Sequence, residues 1–268
     1  MVPPFSFQRT RASSQASNRI GMEPQMISAS TLGFSYDDTP ALHDVSFGVA
    51  AGNLVLLAGA NGSGKSTLLA VLAGLASPGA GLLRVADLRL PGQERALRRI
   101  SRLVVQDADL QILGATVGED LLLGRSATDE AMVRSMAGRF DLAGAWDLPA
   151  HTLSWGMRRK LCLAAALLDD PRLLLLDEPF AGLDYHGTLE MRRILTENRR
   201  KSLTQVVAVH DLDPVADLAD QMLVLDRGRL VLSGRPAAVM DGVRTHGVRP
   251  PCSWLAGRGL VPWDDGHG

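Results

Sequence analysis

Apolar positions along the chain alternate between short continuous runs and stripes spaced three to four residues apart. Residues 54–58 are wholly apolar and too few for a helix, so they read as a buried strand. A glycine-rich turn follows. Residues 65–75 then continue as a helix, brought to an end by Gly74 and Ser77-Pro78-Gly79. Upstream, residues 27–36 and 42–49 predict two strands joined by the turn-forming Asp37-Asp38-Thr39-Pro40. Further strands are predicted over 82–85 and 103–105. From Val117 to about Leu168 the spacing turns helical, with a break near 147–152. A strand over 173–176, a helix over about 188–200, a strand over 206–209, a short helix and two strands around 223–232 complete the order. Alternating strands and helices predict a mostly parallel sheet with helices on both faces, and the central helical block is a candidate subdomain.

At 268 residues the chain can bury one large core, or a core with a small subdomain. Its 28 basic residues nearly balance 29 acidic ones, and no long basic stripe points to a nucleic-acid partner. The longest apolar runs, such as 161–168, fall far short of the ~20 residues that cross a bilayer. Cys162 and Cys252 are too few for a disulfide framework or a four-ligand zinc site, and Cys162 lies in an apolar helical stretch as a core residue. Residues 1–25, rich in Ser, Gln and Arg and without the apolar segment of a signal peptide, are expected to be a disordered leader on a cytoplasmic protein. Residues 242–268, broken by Gly and Pro and carrying two tryptophans, are expected to be an irregular tail, either loosely packed or docked on a partner.

The turn between strand and helix carries the chemistry. Residues 59–66 match the phosphate-loop pattern G-x-x-x-x-G-K-[ST]. Glycines let the backbone curl so that several N–H groups point at phosphates, helped by the positive end of the following helix. The candidate nucleotide-binding set is Gly59, Ala60, Asn61, Gly62, Ser63, Gly64, Lys65, Ser66 and Thr67. Lys65 would reach the β- and γ-phosphates of a nucleotide, and Ser66 would ligate Mg²⁺. The run 173–176 then delivers Asp177 to the magnesium shell and Glu178 to a position where a base could polarise a water. His210 ends the apolar strand 206–209, which should lie beside the Asp177 strand. At the carboxyl end of a parallel strand it is placed to contact the γ-phosphate.

The order of these motifs resembles the ATP-binding-cassette (ABC) ATPases over about residues 26–240. Tyr36 matches the aromatic that stacks on adenine, with Phe34 as the alternative. Gln106 matches the glutamine of the Q-loop, which touches the metal and senses a membrane partner. Leu153-Ser154-Trp155-Gly156-Met157 occupies the signature position, Ala181-Gly182-Leu183-Asp184 the D-loop, and His210 the switch histidine. The resemblance implies an α/β fold: a P-loop NTPase core with a mostly parallel sheet, an N-terminal antiparallel β subdomain and an inserted α-helical subdomain at about 107–168, together spanning 26–241. It also implies Glu178, His210 and Gln106 as catalytic residues, and Ser66, Gln106 and Asp177 around Mg²⁺. Ser154 and Gly156 would meet ATP held by a second cassette, identical or paralogous. The signature departs from the family's usual Leu-Ser-Gly-Gly-Gln. Trp155 replaces the first glycine and Met157 the glutamine, which fits either a weakened half of a divided-labour pair or a tolerated variant in a working motor.

Soluble chromosome and repair members of the family carry coiled coils or zinc insertions between the phosphate loop and the Asp177 strand. Translation-type members carry two cassettes. With about a hundred residues in that interval and one cassette, this chain resembles a transport motor at the cytoplasmic face of a membrane, working with separate transmembrane permease subunits. Gln106 and Gln111, then Thr116-Val117-Gly118-Glu119-Asp120, are similar to the energy-coupling-factor and cobalt-type importers, although Ala108 and Leu113 depart from that group. Import of a vitamin or a transition-metal ion would follow. An exporter motor, or a non-transport ATPase regulating a partner complex, are the alternatives.

Overall fold

The computed structural model describes residues 25–126 and 129–263. The expected leader lies outside them apart from Gln25, which opens the first strand. In chain order the elements are β1 (Gln25–Tyr36), β2 (Thr39–Ala50), β3 (Leu54–Ala58), α1 (Lys65–Leu72), β4 (Ala80–Val85), β5 (Leu88–Leu90), α2 (Glu94–Ile100), β6 (Ser101–Val104), α3 (Val117–Leu122), α4 (Glu130–Arg139) and α5 (Trp155–Leu168). There follow β7 (Leu173–Asp177), α6 (Tyr185–Arg200), β8 (Thr204–Val209), β9 (Gln221–Asp226), β10 (Arg229–Gly234), α7 (Pro236–Val239) and α8 (Cys252–Leu255).

Two sheets form. One is antiparallel, in the order β2-β1-β4-β5, and the other runs β10-β9-β3-β8-β7-β6. In the second, every pairing is parallel except β9 with β10. Strands buried on both faces supply alternate side chains to two cores. Leu54, Leu56, Leu174, Leu176 and Val207 face the helical side, with α3, α4, α5 and α6. Val55, Leu57, Leu173, Leu175 and Val206 face α1 and the antiparallel sheet.

Several boundaries moved for physical reasons. The β1–β2 turn is only Asp37-Asp38, and Pro40 falls inside β2, an edge strand where its missing N–H costs no ladder bond. α1 stops at Leu72, three residues early, because the Leu75 N–H closes back on the Ala70 carbonyl at 2.9 Å, a helix-ending bond. The described part of the C-terminal segment, residues 242–263, packs against the domain. Val243 and Val248 are core residues, and the Trp254 indole N–H donates to Asp241 at 2.7 Å. The Cys252 amide donates to Asp213 at 2.7 Å, and the Trp263 ring lies 5.3 Å from that of Tyr185. No helix among the described residues is long and apolar enough to cross a membrane.

Candidate active site

Parallel register brings the chemistry to one edge. Ala58 pairs with Val209, and Asp177 with Ala208, so the residues that follow β3, β7 and β8 emerge side by side. The loop after β3 curls tightly. A Cβ at Gly59 would sit 2.4 Å from Ser63 Oγ and 2.5 Å from the Leu225 carbonyl, and Gly64 turns through φ 103 before α1 begins. Only glycine meets both conditions at low cost.

Lys65, 6% exposed, is drawn back over this loop. Its ammonium donates to the Gly59 carbonyl at 2.8 Å and the Ala60 carbonyl at 3.2 Å, and lies 3.6 Å from Glu178 Oε1. That Glu178 oxygen is buried without a hydrogen-bond partner, while Oε2 is 2.8 Å from His210 Nδ1. A carboxylate can only accept, so Nδ1 carries the hydrogen in this pairing. Burial raises the Asp177 carboxyl above its ordinary value; a hydrogen bond from Ser66 opposes this, Glu178 adds to it, and Lys65 opposes it.

These groups border a cavity of about 530 Å³. Of the expected residues, Asn61, Gly62, Gly64, Lys65, Ser66, Thr67, Gln106, Asp177 and Glu178 line it. Gly59, Ala60 and Ser63 stand behind as the curl of the loop, and His210 joins through Glu178. Tyr36 lies outside the lining, 54% exposed at the end of β1 with its ring edge-on to Phe34 at 4.8 Å. Phe34 packs against the core, which leaves Tyr36 as the ring with a face to offer. Pro40, Ala41, Arg227 and Gly228 also line the cavity and carry no motif that sequence reasoning could have used.

The donor set suits magnesium. A serine hydroxyl bonded to one carboxylate, beside an exposed glutamine, leaves most of an octahedral shell to phosphate oxygens and water. Among the described residues no group of three His, Cys, Asp or Glu could hold a metal alone.

Ser154 and Gly156 are not brought to this cavity. Ser154 caps α5, accepting the Met157 N–H at 3.3 Å, and both residues line a separate cavity of about 490 Å³ between α5 and the start of α6. Gln111 and Glu119 are engaged locally. The Gln111 amide accepts from the Val105 N–H at 2.9 Å and donates to the Leu103 carbonyl at 2.8 Å, completing the open edge of β6. Glu119 and Thr116 form a reciprocal capping box at the start of α3, and Asp120 accepts the Leu113 and Gly114 amides. Sequence reasoning missed Arg159, whose guanidinium reaches the carbonyls of Glu178 and Gln106. Its place one turn before the buried Cys162 and Leu163 was the available signal.

A phosphate loop at the end of a central parallel strand, with an acid pair on the next strand but one, defines a P-loop nucleoside triphosphatase. The chain matches the ABC transporter family over residues 42–181, just over half its length, and belongs to that family. It is an ATP-binding, ATP-hydrolysing subunit. It is 36% identical to the cobalt import ATP-binding protein CbiO of Rhodobacter capsulatus, across 79% of this chain and 80% of that one. Identity is 30% to the energy-coupling factor transporter ATP-binding protein EcfA3 of Clostridium perfringens, across 86% of each. It is 34% to the Nod factor export ATP-binding protein I of Neorhizobium galegae, across 83% of this chain and 67% of that one. Among solved structures, cbiO1 from Clostridium perfringens, described as part of the ABC transporter complex cbiONQ, superposes with a TM-score of 0.73 at 30% identity, covering 83% of this chain and 93% of that one.

Proposed function

We propose that this chain hydrolyses MgATP at the 530 Å³ cavity to drive a transporter with separate membrane subunits, and that the transporter imports a vitamin or a transition-metal ion. The observation that carries the hydrolytic roles is the Glu178 carboxylate, held by His210 on one oxygen and facing Lys65 with the other. Glu178 takes a proton from the water whose oxygen attacks the γ-phosphorus, and the bond from that phosphorus to the bridging oxygen of ADP breaks. Lys65 and the loop amides hold the phosphates, Tyr36 stacks on adenine, and Ser66, Asp177 and Gln106 hold Mg²⁺. The ion, when bound, offsets charge on the phosphate oxygens. Ser154 and Gly156 meet the nucleotide of a second cassette. That role is supported by their placement at the N-terminus of α5, away from this chain's own phosphate loop.

Import is supported by the likeness to CbiO and EcfA3 and by the sequence pattern of Gln106, Gln111 and Thr116-Val117-Gly118-Glu119-Asp120. Leu110 and Leu113, each about three-quarters exposed beside the Q-loop, suit an apolar membrane-subunit segment at the cytoplasmic face. The test is mass spectrometry of what co-purifies with the chain from gently solubilised native membranes, followed by uptake in vesicles containing that partner. Gln111→Ala or Glu119→Ala should lower uptake per ATP or release the partner, with ATP affinity nearly unchanged. No bound membrane protein, together with unaltered uptake and efflux on deletion, would refute the transport reading.

A further inference from the structure

Three consecutive cations follow the signature, and they part company. Arg158 pairs with Asp109 and Lys160 with Glu190, whereas Arg159 turns inward and is 3% exposed. Its fork donates to the Glu178 carbonyl at 2.8 Å and to the Gln106 carbonyl at 3.2 Å. One side chain thus fastens α5 to both loops that border the nucleotide cavity. Burial pulls the guanidinium down to about 10, with Cys162 and Glu178 opposing, so it remains a cation at neutral pH.

The Glu178 backbone needs such a hold. Its φ of 50 places a non-glycine residue in the left-handed region, which persists only where the surroundings fix it. The Glu178 N–H donates to the Ala208 carbonyl at 3.0 Å, and its carbonyl accepts from both Ala181 N–H at 3.1 Å and Arg159. Trp155 covers the other side of that guanidinium. It lies one helical turn before Arg159, with the guanidinium carbon 3.9 Å from the ring centroid. The ring also rests on the D-loop, where a Cβ at Gly182 would lie 3.2 Å from it.

We propose that Trp155 and Arg159 are a positioning pair that fixes the backbone carrying Glu178, so that the tryptophan in the signature serves hydrolysis. The proposal rests on the reading of Glu178 as the base. A glycine at 155 would leave the guanidinium face open to the neighbouring cavity and let the fork swing off the two carbonyls. The carboxylate would then lose its aim while the phosphate loop kept its grip.

The test uses the full chain, with steady-state MgATP hydrolysis and ATP binding measured in parallel. Trp155→Gly should lower kcat by about fivefold or more with KM within about twofold, and Trp155→Phe, which keeps a ring face, should recover at least about half of the rate. Arg159→Ala should lower kcat by about tenfold or more, and adding Trp155→Gly to it should lower kcat no further, because the ring acts through the guanidinium. Should Arg159→Ala not fold, the Trp155 variants decide, since that side chain is 39% exposed and its loss spares the core. A Trp155→Gly protein at the native rate, no recovery by Phe, or losses that multiply in the double variant would each overturn the pair. Glu178→Gln, run alongside, separates the two ideas: native turnover there sinks the base assignment, while abolished turnover with a fully active Trp155→Gly sinks the pair alone.

Discussion

Gln111→Ala removes two hydrogen bonds from the open edge of β6, one from the Val105 N–H and one to the Leu103 carbonyl. A net hydrogen bond is worth about 0.5–1.5 kcal/mol, and water can reach this half-buried edge, so the local loss should be about 1–2 kcal/mol. At about 1.4 kcal/mol per tenfold, that predicts Val105 amide exchange faster by roughly 5- to 30-fold. Felt globally, it would lower Tm by about 2–8 °C for a domain of this size. The assay is hydrogen exchange resolved to residues 103–111, with a thermal melt in parallel. Gln111→Glu keeps an acceptor for Val105 but loses the donor to Leu103, so its Val105 amide should exchange more slowly than in the alanine variant. Because Val105 precedes Gln106, the loosening should reach the Q-loop. Unchanged exchange at Val105 in Gln111→Ala would refute the edge-clamp reasoning.

Gly59→Ala should weaken ATP binding more than tenfold by calorimetry, because the new methyl meets the Leu225 carbonyl, a backbone atom that cannot rotate away; near-native affinity would contradict the tight-loop account. Arg192→Ala should cost about 3–5 kcal/mol, because it leaves the largely buried Asp217 carboxylate without its two-pronged partner at 2.7 Å. A melt within about 2 °C of the parent would refute that. A thiol reagent at pH 8 should modify Cys252 but not Cys162, which is buried and raised to about 12 by that burial. The Cys252 thiol is itself raised by its hydrogen bond to Asp213, so less of it is thiolate and its labelling should quicken as pH rises. Modification of Cys162 in the folded protein would show the helical core to be open.

What the sequence disclosed follows from how strongly each segment is patterned. β3 was legible to the residue because five apolar side chains run straight into a glycine turn. The Lys65, Asp177 and Glu178 cluster was legible because phosphate chemistry demands fixed spacings on either side of buried strands. β5 and α2 were not, since α2 buries only Leu97 among arginines and so shows no stripe. The C-terminal segment hid for a related reason. Met240, Val243 and Val248 reach the core from a 3₁₀ turn and a loop, segments too short for a period to reveal them. Gln111 and Glu119 were visible as residues, but the local hydrogen bonds of Gln111 were not, because nothing in sequence marks a side chain that completes a strand edge. Trp155 read as a departure from a family pattern, and only the stacked guanidinium beneath it gives the ring a task.

One variant tests Glu178 as the base most directly. Glu178→Gln keeps the side chain's size and its place beside His210 and Lys65 while removing its basicity. Single-turnover hydrolysis and equilibrium ATP binding should be measured on the same preparation. Turnover should fall by roughly 10²-fold or more while the dissociation constant for ATP stays within a few-fold of the parent. Near-native turnover in the glutamine variant would place the base elsewhere and contradict the account.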